Sequence, residues 1–246
     1  MGHFIRRTIV KDGLVFQIDA GNKIGQFKNI VNPTQVGTPI NGLPISDGSW
    51  DFDGTDDRID ISPTDNNITG LTYGTLSMWF KIPSTTTNSR HGLFTVYEST
   101  DFYYSLVLGD SSSVLLDESI VAVLQYGPGE VQAIEYAAAV RKGHTYYFDD
   151  TWHNVVFTVD SGPAPNTKLY IDGILQTLSY VYGSDSGTGF TNLSPTHITV
   201  GCNYNINIGG YYNHLEGNIS SMKIYNKALT QAEITQNYEV QKHKYL

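Results

Sequence analysis

"TWHNVVFTVDSGPAPNTKLYIDGILQT", residues 151–177, reads as strand, loop, strand, two-residue turn, strand. Val155, Phe157 and Val159 fall on one face and Trp152, Asn154, Val156 and Thr158 on the other, the period-2 pattern of a strand within a sheet. "SGPAPN" interrupts it. Leu169 and Ile171 then alternate with Lys168, Tyr170 and Asp172. Asp172-Gly173 stands where both central residues of a type I′ turn need positive φ, which Gly adopts freely and Asp tolerates. Lys168 to Ile171 is therefore expected to fold back on Ile174 to Thr177 as a tight hairpin. The stretch predicts an antiparallel β protein and says nothing about chemistry.

Working outward, four further stretches have the same character: "GLVFQIDAGN" (13–22), "FDGTDDRIDI" (52–61), "GTLSMWFKI" (74–82) and "LEGNISSMKIYNKALTQAEI" (215–234). Together with the Trp-His strand and "LYIDG", and in this order, they resemble the laminin-G-like domains of the concanavalin-A-like class. The resemblance covers most of the chain except roughly 111–148. It implies an all-β fold, a two-sheet antiparallel jelly-roll sandwich. One short C-terminal helix is expected from about Gln231 to Tyr238, because Thr230 to Glu233, "TQAE", is a capping box. The expected organisation is an N-terminal arm (1–12), a single jelly-roll domain (13–240) with an elaborated insertion at about 111–148, and a C-terminal tail (241–246).

The remaining strands are read from alternation. Leu76, Met78, Phe80 and Ile82 oppose Ser77, Trp79 and Lys81, and Ile59 and Ile61 oppose Arg58 and Asp60. Residues 93–97, 102–108, 197–201 and 219–225 read as strands. Residues 23–49 are rich in turn signals and are expected to form a long irregular excursion. Within 114–140, Ile120 to Tyr126 and Val131 to Tyr136 suit two strands, while "AIEYAAAVRK" equally suits a short helix. "GCNYNINIGGYYNHLEG" (201–217) is expected to be a loop.

Composition narrows the function. Of 246 residues, 40% are hydrophobic and only 16% charged, with 17 Tyr and a formal net charge of −9. Such a chain is folded and carries a polar, uncharged surface. With 15 Lys and Arg and no basic cluster beyond Arg6-Arg7 and "QKHK", nucleic acid and anionic membrane are not expected partners. No stretch has the length of a membrane helix or a signal peptide, so synthesis and folding in a cytoplasm are expected. Cys202 is the single cysteine and excludes an intrachain disulfide.

No catalytic signature stands out. Glycan cleavage needs two carboxylates facing one another, and "DFDG", "TDDRID", "LLDES" and "YFDD" do not alternate acids along an apolar strand. Asp51, Asp53, Asp56 and Asp57 surround a turn, where Asp caps backbone amides, with metal binding and catalysis as the competing roles. The chain is read as not an enzyme. His153 reads as a strand residue and Cys202 as an inert small side chain. "DFYYSLVLGD" resembles the strand with which many laminin-G-like domains hold calcium, and implies that Asp101 is a metal ligand. Turn capping is the competing role for Asp101. Asn203, Tyr204, Asn205, Asn207, Tyr211 and Tyr212 gather in one segment the aromatic rings and amides that bind glycans or protein partners. A structural role for these tyrosines is the competing reading. Tyr103, Tyr104, Tyr146, Tyr147, Tyr180 and Tyr182 are expected to carry hydroxyls to the rim of the sheets.

Built this way, the chain resembles accessory structural proteins of tailed bacteriophages. That resemblance implies a virion protein decorating capsid or tail, partnered by other virion proteins and by itself, and touching cell-surface polysaccharide; separately, "MGHFIRRTIV" and "QKHKYL" are expected to be held by neighbouring subunits. The alternative is a carbohydrate-binding lectin module of a bacterial protein. A glycan-cleaving hydrolase is the third reading.

Overall fold

The computed structural model of the chain describes residues 8–23, 25–64, 66–86, 90–100, 102–109, 120–126, 134–139, 147–160, 167–180 and 193–246. Strands are numbered in chain order. The first sheet runs β13 (Ile174–Leu175), β12 (Thr167–Ile171), β11 (His153–Val159), β6 (Gly74–Lys81), β18 (Glu216–Tyr225), β4 (Ser49–Asp53) and β3 (Ile45–Ser46). Its eighth strand, β1 (Leu14–Asp19), pairs with the second half of β18, beyond the residues that pair with β4. The second sheet runs β14 (Leu178–Tyr180), β10 (Ile134–Ala139), β9 (Ile120–Tyr126), β8 (Phe102–Leu108), β7 (His91–Ser99), β15 (His197–Val200), β5 (Arg58–Ile61) and β2 (Gly37–Ile40). All strand pairs among the described residues are antiparallel.

The two sheets bury a common core between them. Phe16, Phe52, Leu76, Met78, Phe80, Val155, Phe157 and Ile224 come from the first sheet, and Ile59, Ile61, Phe94, Val96, Leu106, Ile198 and Val200 from the second. These are the alternate positions that the sequence marks as apolar, so the jelly-roll sandwich follows from its pattern. Asp172 and Gly173 have φ of 52° and 77°, and Ile171 pairs with Ile174 across them, as a type I′ hairpin requires.

Two elements differ from expectation, and at a third the structure chooses between two open readings. Residues 23–49 are not wholly irregular, since they contribute β2 and β3, the outer strands of the two sheets. "IEYAAA" is strand β10, because pairing with β9 on one side and β14 on the other outweighs the helix preference of its alanines. Residues 203–212 form a hairpin of β16 (Asn203–Asn205) and β17 (Gly210–Tyr212) around a 3-10 turn.

The outer face of the first sheet is covered by α1 (Gln231–Gln241) and the tail beyond it. Thr230 and Glu233 form the capping box, and Val156, Tyr170, Tyr225, Leu229 and Ile234 make a second apolar cluster beneath the helix. Trp79 stacks on Tyr238 and on Tyr245, with centroids 5.6 and 4.1 Å apart. Lys244 Nζ lies 3.1 Å from Asp19. At the other end, Val10 N donates to Asn237 Oδ1 and Gln236 Nε2 donates to the Thr8 carbonyl. Residues 8–12 and 242–246 thus take partners within their own fold.

Candidate functional site

The hairpin of β16 and β17 lies on the outer face of the second sheet, and the sheet is built to receive it. Asn203 Nδ2 donates to Thr95 Oγ1 at 3.0 Å, Gly92 N donates to the Asn213 carbonyl at 2.8 Å, and Thr199 Oγ1 donates to the Cys202 carbonyl at 3.0 Å. A Cβ on Gly92 would stand 2.5 Å from the Cys202 carbonyl carbon, so only glycine lets the hairpin approach this closely. Asn205 caps the 3-10 turn by accepting from Asn207 N at 2.9 Å.

Seated there, the hairpin joins its rings to outward residues of β5, β7 and β15. His197 stacks on Tyr204 at 3.6 Å with 15° between planes. Tyr97 and Tyr211 meet Tyr204 edge-on at 4.9 and 5.0 Å. The Arg58 guanidinium lies 3.7 Å over the Tyr211 ring, and its Nε is held 3.0 Å from Asp60 Oδ1. Beside this wall opens a cleft of about 270 Å³ that includes Thr38, Asp60, Ser62, His197, Thr199 and Tyr211. Past the His197–Tyr204 stack, a shallower groove of about 370 Å³ reaches Glu98 and Asn207. On the far side of the hairpin lies a third cleft, about 130 Å³, with Arg90, Tyr103, Tyr212 and Asn213 among its lining.

Protonation favours stacking and hydrogen bonding. Burial lowers the His197 pKa below 6.5, Asp60 opposes and Arg58 adds to the lowering, so the imidazole is neutral at pH 7. Burial also raises the Tyr211 pKa, with Asp60 adding, which keeps its hydroxyl a donor. Burial pushes the Cys202 thiol up to about 12, the inert state expected of it.

Of the residues singled out in the sequence, Tyr204 and Tyr211 come together, Tyr211 lining the first cleft and Tyr204 the groove beside it. Tyr212 projects to the other side, because neighbours on a strand face opposite ways. Asn207 is exposed at the groove. Asn203 is only 2% exposed and Asn205 caps the turn, so these two amides hold the hairpin rather than face a ligand. Asp101 lies outside the described residues, as do Tyr146 and Tyr182. Tyr104 does not reach the rim: it is fully buried against Phe157, with centroids 5.7 Å apart. Arg58, Asp60, Tyr97 and His197 were not picked out as site residues. Their outward positions on alternating strands were legible, but their convergence depends on which strands become neighbours.

The carboxylates of Asp53, Asp56 and Asp57 approach within 4.8 Å of one another, a spread that a hard cation could bridge. Turn chemistry engages them: Asp53 Oδ1 accepts from Thr55 N at 2.8 Å, and Asp57 Oδ2 accepts from Asp53 N at 3.3 Å. Burial first and Asp53 second raise the Asp57 pKa.

Solved structures share this fold. Domain 4 of AbnA, a GH43 extracellular arabinanase from Geobacillus stearothermophilus in complex with arabinotriose, aligns with TM-score 0.57 and 18% identity over 92% of this chain and 98% of that one. The CBM40 of the Ruminococcus gnavus IT-sialidase bound to alpha2,6 sialyllactose aligns with TM-score 0.59 and 15% identity over 93% and 99%. The receptor binding domain of botulinum neurotoxin D aligns with TM-score 0.65 and 15% identity, covering 94% of this chain and 53% of that one. The present chain thus spans about half of the toxin domain, and at these identities the likeness is one of fold. No curated protein sequence matches the chain. Residues 53–235 match the laminin-G model described as the concanavalin A-like lectin/glucanases superfamily. With that match across most of the sandwich, the chain belongs to the concanavalin A-like lectin/glucanases superfamily.

Proposed function

We propose that the chain is a glycan-binding, lectin-like module whose site is the cleft between β5, β15 and the 203–212 hairpin. The observation that carries this reading is the aromatic wall of Tyr204, Tyr211 and neutral His197 beside the Arg58–Asp60 pair. Rings of this kind take the CH faces of a sugar, while Asp60 and Thr38 are placed to read its hydroxyls. That AbnA domain 4 and the CBM40 were solved with oligosaccharides supports the same use of the fold.

The reading is binding without turnover. Hydrolysis by acid and base or nucleophile needs two carboxylates across the scissile bond. Among the described residues of this cleft, Asp60 is the one carboxylate, and it is held by Arg58. Glu98 in the adjoining groove accepts from Ser194 N at 2.9 Å.

The test is a glycan array followed by calorimetry with Tyr211→Ala and Asp60→Asn. Binding by the wild type that falls at least tenfold in both variants supports the reading. No binding, or binding untouched by both, overturns it. Where the module is carried is a separate proposal. The virion setting expected from the sequence predicts the chain at stoichiometric copy number in purified particles, and its absence from them would rule that setting out.

A further inference from the structure

We propose that the third cleft, on the far side of the hairpin, is a second subsite that takes the carboxylate of an acidic sugar. The inference rests on the glycan reading and names a ligand class that the first cleft does not require. Its centre is Arg90, half-buried at the entry to β7, with Tyr103, Tyr212 and Asn213 around it.

The two arginines near the hairpin are in opposite situations. Arg58 is satisfied, with Nε on Asp60 and its plane over Tyr211. Arg90 has no ion pair among the described residues. The chain has 24 Asp and Glu against 15 Lys and Arg, yet no carboxylate is among the described residues lining the third cleft. A guanidinium presents five donors in a planar fork that fits a carboxylate with two parallel bonds. Val121 and Val123 in the lining are 0% and 6% exposed, so part of the wall beside that fork is apolar and water competes less for it. A neutral sugar would leave the fork unmatched. A uronic acid supplies the missing charge and also a ring for Tyr103 and Tyr212 to bracket. Tyr211 and Tyr212 face opposite ways on β17, so one hairpin serves both clefts.

The experiment is an NMR titration of the full chain with methyl glucuronide and methyl galacturonide against methyl glucoside and methyl galactoside, pairs that differ only in carboxylate against hydroxymethyl. The expected result is about tenfold tighter binding of an acidic member over its neutral partner, a preference that shrinks in high salt. Arg90→Gln should erase the preference and keep neutral binding. Arg90→Lys, which keeps a charge but not the fork, should retain part of it. Tyr211→Ala should weaken neutral binding while the acidic preference persists. Neutral binding with no acidic preference, or a preference that survives Arg90→Gln, overturns this inference alone. No binding of any of the four overturns it together with the glycan reading.

Discussion

Arg58 and Tyr211 are far apart in the chain, and the guanidinium of the first lies 3.7 Å over the ring of the second. Asp60, two residues on from Arg58, holds that guanidinium through Nε at 3.0 Å. The contact fixes the ring that lines the first cleft, so the two variants should differ in kind. Tyr211→Ala removes the stacking surface and is expected to weaken the best-bound oligosaccharide at least tenfold, with Tm within a few degrees of wild type. Arg58→Ala leaves the ring but frees it, and a smaller loss of affinity is expected. Calorimetric titration beside thermal melts separates the two; equal losses would show that the guanidinium itself is read by the ligand.

The seat of the hairpin hangs on Gly92. An added methyl would meet Cys202 carbonyl carbon and Asn203 Oδ1 at 2.5 Å, atoms held in the backbone and by Thr95. Gly92→Ala is expected to cost about 2 kcal/mol by overpacking and to abolish binding, because the whole wall moves. Urea unfolding monitors the first effect. Retained affinity at full stability would mean the hairpin is not the wall of the site.

His153 and Lys223 should give opposite pH dependences. Burial tends to lower the His153 pKa, but the hydrogen bond and charge of Asp172 at 2.8 Å, with Asp149 adding, raise it above 6.5. A raised histidine pKa stabilises the fold below the unfolded value, and that contribution is lost as pH rises through the folded value. Asp172→Asn, which keeps a residue tolerant of positive φ, should therefore cost about 1 to 2 kcal/mol at pH 6 and less at pH 8. Denaturant midpoints at the two pH values check it.

Burial lowers the Lys223 pKa to about 8, with Asp19 opposing the shift, and Ser221 Oγ is 3.3 Å from its Nζ. Between about 8 and 10.5 the unfolded chain holds more protons than the folded one, so stability should rise with pH in that window. Lys223→Met should flatten the rise and leave stability at pH 7 equal or higher by about 1 to 2 kcal/mol. A variant less stable than wild type at pH 7 would show that the ammonium has a stabilising role in place.

Thr230 Oγ1 accepts from Glu233 N while the Glu233 carboxylate accepts from Thr230 N. Thr230→Ala should cost about 1 kcal/mol and expose the Trp79 platform under α1, read as a change in tryptophan fluorescence before global unfolding. Unchanged stability and emission would mean that packing of Ile234 and Tyr238 alone holds the helix.

The layered fold was legible because burial enforces it residue by residue. Val155, Phe157 and Val159 had to share a face, Asp172-Gly173 had to reverse the chain, and Thr230 to Glu233 had to start a helix. Even the outward positions of Arg58, Asp60 and His197 could be read from their neighbours. Where local preference and pairing conflicted, as at 134–139, the sequence left both states open and the flanking strands decided.

The site was not legible in the same way. Tyr204 and Tyr211 stood out by composition, but their partners come from β5, β7 and β15, more than a hundred residues away in two of the three cases. Nothing local distinguishes Asn203, which pins the hairpin, from Asn207, which faces solvent. The sequence by itself determined a two-sheet sandwich with a helix-capped end, since alternation and turn geometry are short-range constraints. Only the tertiary structure decided that β15 lies between β5 and β7, and that a glycine gap lets a hairpin settle across them, because strand order and close approach are set by packing over the whole chain.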